Sequence, residues 1–217
     1  MKLSIVIPTI TPKLAERCID SIIKFTNLND IEIIVVYQGK EKWDIEKKHE
    51  CIKLLKFDEP LGPVIAFNKG IEKTSGLYIM ILNDDCAVLD SKKDYWINEL
   101  LKPFENPKVA VTGPFKMPPV LGANGLNFTE DKIKYGFILF FCAVIPRRIF
   151  DEIGILDDTL LCGVDVDFCM RVKEKGYEIK QVPEADLNLG VPGKLAIGTF
   201  PFYHEGEGTV HDFYGEQ

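Results

Sequence analysis

No stretch of this sequence is both long enough and apolar enough to cross a bilayer. The longest apolar run, residues 137–145, has nine residues, against the roughly 20 that a spanning helix needs. The opening MKLSIVIPT has no small-residue cleavage pattern, so it reads as a strand and not as a signal peptide. Positive charge is not in excess: 26 Lys and Arg face 33 Asp and Glu, for a net charge of −7. That argues against general nucleic-acid binding, which needs a basic face. The six cysteines, at 18, 51, 86, 142, 162 and 169, form no CxxC pair. The usual ligand spacing of a zinc site is therefore missing, and thiols inside apolar stretches read as small hydrophobes in a reduced compartment. The expectation is a soluble, cytoplasmic protein.

What is present is an ordinary globular composition, 46% hydrophobic and 27% charged over 217 residues, enough for one large domain or two small ones. The stretch 76–85, GLYIMILNDD, is the most informative. Residues 77–82 form an apolar run of strand length that stops at Asn83-Asp84-Asp85. Open α/β sheets gather their ligands at such strand ends. Adjacent carboxylates repel unless a cation holds them, and hard oxygen ligands suit Mg²⁺ or Mn²⁺. A polar turn is the alternative, since Asn and Asp are common turn residues.

In chain order, residues 3–7 predict a strand halted by Pro8. Apolar positions at helical spacing predict a helix over Pro12–Phe25, and a second strand spans residues 31–36. This opening implies parallel strands with a right-handed crossover. A short solvated helix is expected over 41–50, a strand over 52–57, and a helix over 62–75 with Gly76 as its C-cap. A helix over 94–105 and a strand over 109–112 follow. The alternation makes the first half a parallel α/β sheet. Residues 114–131, rich in Pro, Gly and Asn, lack periodicity and read either as a flap facing substrate or as a simple disordered segment. Beyond them come a long strand over 135–145, helices over 147–153 and 164–175, and a strand over 178–182. No internal repeat or linker is visible.

The segment GVDVDFCMR, residues 163–171, offers two acids. At about 100° per residue, Asp165 shares a helix face with Phe168, Cys169 and Val172, the side that must turn inward. Asp167 lies nearly opposite, beside Arg171 at i+4, where an ion pair is natural. An inward acid in a first helical turn either serves the backbone N–H groups there or faces a cleft. His204 also has two readings, an interior histidine or a metal or phosphate contact aided by Gly206 and Gly208. His211 has no comparable context.

These pieces together resemble the family 2 glycosyltransferases of GT-A fold, the rhamnosyltransferase-like members among them. The residues that carry the likeness are LSIVIPT, IEIIVVYQG, GPVIAFNKGIEKTSGLYIMILNDD, GVDVDFCMRVKEKGYEI and HEGEGT, in that order over most of residues 1–209. The resemblance implies a single α/β domain over 1–217. It would be a Rossmann-like, mostly parallel sheet flanked by helices, with a nucleotide-sugar half (1–113) and a smaller acceptor-side half (114–217). It further implies transfer of a sugar from a nucleotide-diphosphate donor to an acceptor hydroxyl, usually with inversion. The acceptor would be a glycan or lipid-linked, the latter with peripheral contact at a membrane surface. Asp85 would hold Mn²⁺ or Mg²⁺, with His204 near it, and Asp165 matches the catalytic base. Pro8, Thr9, Tyr37, Gln38, Asn68, Asn83 and Asp84 fall at donor-contacting positions.

Three positions depart from the family pattern. Tyr37 stands where an Asp usually bonds the nucleobase, Phe67 where an Arg often precedes Asn68, and Val164 where a Glu precedes the base. Because of these departures, a non-catalytic nucleotide-sugar-binding module is a second reading. A sugar-phosphate nucleotidyltransferase is a third, weakened because Pro8–Pro12 lacks the Gly-rich basic loop that reaction needs.

Overall fold

The computed structural model describes residues 2–117, 136–160, 162–182, 195–196 and 200–205. In chain order the strands and helices are β1 (Leu3–Thr9), α1 (Pro12–Phe25), β2 (Ile31–Gln38), β3 (Ile52–Phe57), α2 (Pro63–Ile71), β4 (Tyr78–Leu82) and β5 (Cys86–Val88). There follow α3 (Tyr95–Leu101), β6 (Val109–Gly113), β7 (Lys116–Met117), β8 (Phe137–Ile138), β9 (Cys142–Pro146) and α4 (Arg147–Ile153). The last are α5 (Val164–Glu174), β10 (Glu178–Gln181), β11 (Leu195–Ala196) and β12 (Phe202–His204).

Among the described residues, seven strands build one sheet in the order β10-β6-β9-β4-β1-β2-β3. Its pairs are parallel except around β9, which runs antiparallel to β4 and β6. β1, β6 and β9 are buried at every position, as apolar strands covered on both faces should be. Alternation of side chains then splits the core in two. Leu3, Ile5 and Ile7 of β1 pack with α1 and α3 residues on one face, while Val6 packs with residues of α2, α4 and α5 on the other. A smaller antiparallel sheet, β11-β12-β5, returns the C-terminal part of the chain to the end of β4.

Several local expectations need correcting. Pro8 does not halt β1, which runs on to Thr9. The β1–β4 pairing ends at Val6, so Pro8 lies on a stretch paired only with β2, where a missing N–H is tolerated. The solvated helix over 41–50 is reduced to one 3-10 turn, Ile45–Lys47. Its only buried residue is Ile45, too little to hold a longer helix in place. α2 stops at Ile71, where the Thr74 hydroxyl donates to the Ile71 carbonyl at 2.7 Å. Gly76 is accordingly no C-cap: a Cβ there would stand 2.6 Å from Ser4 Oγ and 2.8 Å from the Lys2 carbonyl. The helix over 94–105 is α3 followed by a 3-10 turn, Lys102–Glu105, beginning just before Pro103. The long strand over 135–145 is two strands, β8 and β9, separated by a turn at Phe140-Phe141. An unbroken apolar run carries no period with which to reveal such a break. Of the flap over 114–131, residues 118–131 lie outside the described residues, as do His211, Gly206 and Gly208.

Candidate active site

Thr9, Gln38 and Leu82 end three adjacent parallel strands on the same edge of the sheet, where open α/β folds bind ligands. The apolar strand β4 needs no polar group until it leaves the core, so Asn83, Asp84 and Asp85 arrive together at that edge. Asp84 is 2% exposed and accepts a 2.6 Å hydrogen bond from Thr9 Oγ1. The same Thr9 oxygen accepts from the Thr11 N–H at 2.9 Å. Asp84 is thereby tied to the start of α1.

Asp85 is 1% exposed, and its Oδ1 lies 3.3 Å from His204 Nε2. This meeting of residues 119 positions apart is made by strand pairing: His204 stands opposite Cys86 in the β12–β5 ladder, and the Glu205 N–H donates to the Asp85 carbonyl. The imidazole lies flat on Phe141, with centroids 4.3 Å apart and planes 9° from parallel. Phe141 in turn stacks with Phe202, and Phe202 with Trp96. A column of core aromatics therefore sets the ring's orientation. Cys86 Sγ, donating to the Phe141 carbonyl, joins Asp85 and His204 in a group whose ligand atoms all lie within 4.8 Å of one another. Burial pushes the Cys86 thiol well up from its ordinary value, and Cys18, Asp85, Cys142 and Asp84 add to the shift.

Asp165 occupies the first turn of α5, after Gly163 at φ 76°. Its Oδ1 accepts from the Val166 N–H at 2.9 Å. Burial still outweighs such bonds and raises the pKa of its carboxyl from the ordinary Asp value. Asp165 opens onto a cavity of about 320 Å³ whose wall also carries Asn83, His204, Phe67, Phe140 and Phe141. Asp167 instead pairs with Arg171 at 2.8 Å, as the helix-face argument expects. The same guanidinium donates to the carbonyls of Ile153 and Ile155.

The remaining sequence candidates have structural duties. Pro8 is buried in β1 opposite Val36. Tyr37 is 2% exposed, with its ring edge-on to Trp43 and covering Gly39. As it stands, this ring is not an open stacking platform for a nucleobase. Gln38 Oε1 accepts from the N–H groups of Leu61 and Gly62 at 2.7 and 3.1 Å, shaping the entry to α2. Asn68, which the family resemblance places on the donor, instead clasps the Leu156 backbone with its amide, donating at 2.9 Å and accepting at 3.2 Å. It pins the loop between α4 and α5 to α2. Sequence reasoning missed Phe140 and Phe141 because they sit inside an apolar run with no polar marker. Cys86 carries no such signal either, because His204 joins it only through the folded chain and not at any metal-ligand spacing.

The fold of the described residues is similar to that of solved GT-A glycosyltransferases. The mannosyltransferase PcManGT from Pyrobaculum calidifontis, in complex with GDP-Man and Mn²⁺, superposes at a TM-score of 0.66 with 16% identity. That match covers 84% of this chain and 55% of that one. TarS 1–349 of S. aureus superposes at 0.56 with 15% identity, over 79% and 55% of the two chains. The fold is GT-A, with a large, mostly parallel sheet between helices. Residues 4–154 match the model of glycosyl transferase family 2, and the chain belongs to that family. Asp165 and His204 lie beyond the matched span.

Among curated relatives, the pre-mycofactocin glycosyltransferase of Mycobacterium tuberculosis is 25% identical over 180 residues, which is 74% of this chain and 37% of that protein. The uncharacterized protein y4gI of Sinorhizobium fredii is 25% identical over 219 residues, 85% of this chain and 24% of that protein. The chain thus spans about a quarter to a little over a third of the curated relatives it matches.

Proposed function

We propose that this protein is a metal-dependent glycosyltransferase that moves a sugar from a nucleotide-diphosphate donor to an acceptor hydroxyl with inversion. The observation that carries the reading is the convergence at one sheet edge of Asp85 with His204 and, across one cavity wall, of His204 with Asp165. Family membership and GT-A neighbours support the same chemistry.

Asp165 is the base. Its Oδ atom takes the acceptor proton as the acceptor oxygen bonds to the anomeric carbon and the bond from that carbon to the diphosphate oxygen breaks. A positioned carboxylate of raised pKa holds a proton better than a solvated one, which suits it to this step. Asp85 and His204 fit a divalent ion, Mn²⁺ or Mg²⁺, because a carboxylate oxygen and an imidazole nitrogen already stand 3.3 Å apart. Bound there, the ion supplies charge neutralisation at the departing diphosphate. Asp84, held by Thr9, and Asn83 flank the donor.

A panel of nucleotide sugars with Mn²⁺ and simple acceptors tests the reading. Free nucleoside diphosphate, formed only with metal, is the expected product. Release of pyrophosphate instead identifies a nucleotidyltransferase, and a bound but unchanged donor identifies a binding module; either result overturns the proposal.

A further inference from the structure

We propose that Cys86 is a third ligand of this metal centre, and that the resulting Asp85–Cys86–His204 set takes Zn²⁺ in preference to Mn²⁺ or Mg²⁺. The inference rests on the reading above that Asp85 and His204 hold a divalent ion.

The three donors come from two segments that meet only in the folded chain. Adjacent residues in a regular strand point to opposite faces, but Asp85 lies in the turn before β5, and Cys86 is the first residue of the strand. Both side chains can therefore address one point. The ladder partner of Cys86 is His204, and both rest against Phe141, the thiol on its carbonyl and the imidazole on its ring. All three ligand atoms fall within 4.8 Å of one another.

A tetrahedral zinc ion with bonds of about 2.0–2.3 Å holds neighbouring donors about 3.3–3.6 Å apart. The Asp85–His204 separation, 3.3 Å, is already at that value. The widest separation the group allows needs about 1 Å of side-chain movement to close around such an ion.

One carboxylate, one imidazole and one thiolate are a borderline-soft set. Such a set binds Zn²⁺ well above Mn²⁺, whereas Mg²⁺ favours oxygen throughout. Three protein ligands leave a fourth position open, the pattern of zinc sites that also bind a substrate atom. A diphosphate oxygen would be the substrate atom to occupy it. Mn²⁺ would use the carboxylate and the imidazole and leave the thiol protonated on the Phe141 carbonyl.

X-ray absorption at the zinc edge of the wild-type protein tests this directly. One sulfur scatterer at about 2.3 Å beside nitrogen and oxygen scatterers is expected. Co²⁺ should give a thiolate-to-metal charge-transfer band that persists in Cys162→Ser, which removes an exposed thiol, and disappears in Cys86→Ser. By calorimetry, Cys86→Ser should lower Zn²⁺ affinity at least about tenfold, no less than loss of an outer-shell partner costs. Its Mn²⁺ affinity should stay within a few-fold of wild type.

A zinc shell of nitrogen and oxygen only, or equal Zn²⁺ affinity in Cys86→Ser, overturns the role of Cys86. If Mn²⁺ still tightens binding of a nucleoside diphosphate, UDP or GDP, through Asp85 in that case, the proposed function stands. If neither ion binds, or Asp85→Asn leaves both affinities unchanged, the metal reading falls and this inference falls with it.

Discussion

Two acids two residues apart on α5 have different environments. Asp165 sits on the cavity wall with its carboxyl raised by burial, and Asp167 is satisfied by Arg171. Asp165→Asn keeps the shape but cannot accept a proton, so turnover should fall at least about 10²-fold. Metal-dependent UDP affinity, read by calorimetry, should stay within a few-fold. The acidic limb of the wild-type rate profile should lie above 3.8, the ordinary value for an Asp. Because the folded pKa is raised, ionisation of Asp165 opposes folding, so Asp165→Asn should be no less stable than wild type at pH 7. Asp167→Asn should cost only about 0.5 kcal/mol and stay active.

Glu32 shows the opposite titration. Burial alone would raise its pKa, but hydrogen bonds from Lys53, Ser4 and Ser75 outweigh burial and bring it to about 2, from an ordinary 4.5. Ser4 Oγ also accepts from the Gly76 N–H, so one carboxylate ties β1, β2, β3 and the approach to β4. A depressed carboxyl stabilises the fold above its unfolded pKa, and that contribution is lost as pH falls from about 4.5 towards about 2. Glu32→Gln should cost about 1–3 kcal/mol at pH 7. In acid titrations followed by circular dichroism, the gap to wild type should close over that window.

At the scale of elements, α2 sets the position of the cavity wall that holds Phe67. It lies so close to the sheet that a Cβ on Gly70 would stand 2.2 Å from Val6 Cγ1 and 3.0 Å from Val36 Cγ2. Better helix propensity cannot compensate for that overlap. Gly70→Ala should therefore destabilise by about 1–3 kcal/mol, measured by denaturant unfolding. In an exposed helix the same change would stabilise. The Asn68 clasp belongs to this scale too, since it fixes the loop leading to α5, and hence Asp165, against α2.

At the scale of the whole molecule, the small sheet joins the C-terminal part of the chain to the edge of the large sheet where β4 ends. Phe202, fully buried between Trp96 and Phe141, anchors that junction. Phe202→Ala should cost about 3–5 kcal/mol and also weaken Mn²⁺ binding, because the column under His204 loses a member. His204→Ala should weaken Mn²⁺ binding by at least about tenfold, as loss of an outer-shell partner can, with a smaller loss of stability. Thermal melts with and without Mn²⁺ separate the two.

Much of this was legible in the residues themselves. Helices α1 and α4 and strand β3 lie where the pattern puts them, because amphipathic periods and turn residues act locally. The strand-end acids and the choice of Asp165 over Asp167 as the inward acid follow from local geometry as well. What only tertiary structure decided is which distant groups meet. Ladder pairing of β5 with β12 joins His204 to Asp85 and Cys86, a cluster invisible to any spacing rule because His204 is 119 and 118 residues from the other two. The break between β8 and β9, which turns two phenylalanines into a cavity wall, depends equally on long-range contact, through the Asn83 N–H donating to the Phe141 carbonyl. Local sequence sets each segment's own shape, but a site is formed by contacts between segments, and those are settled only when the sheet assembles.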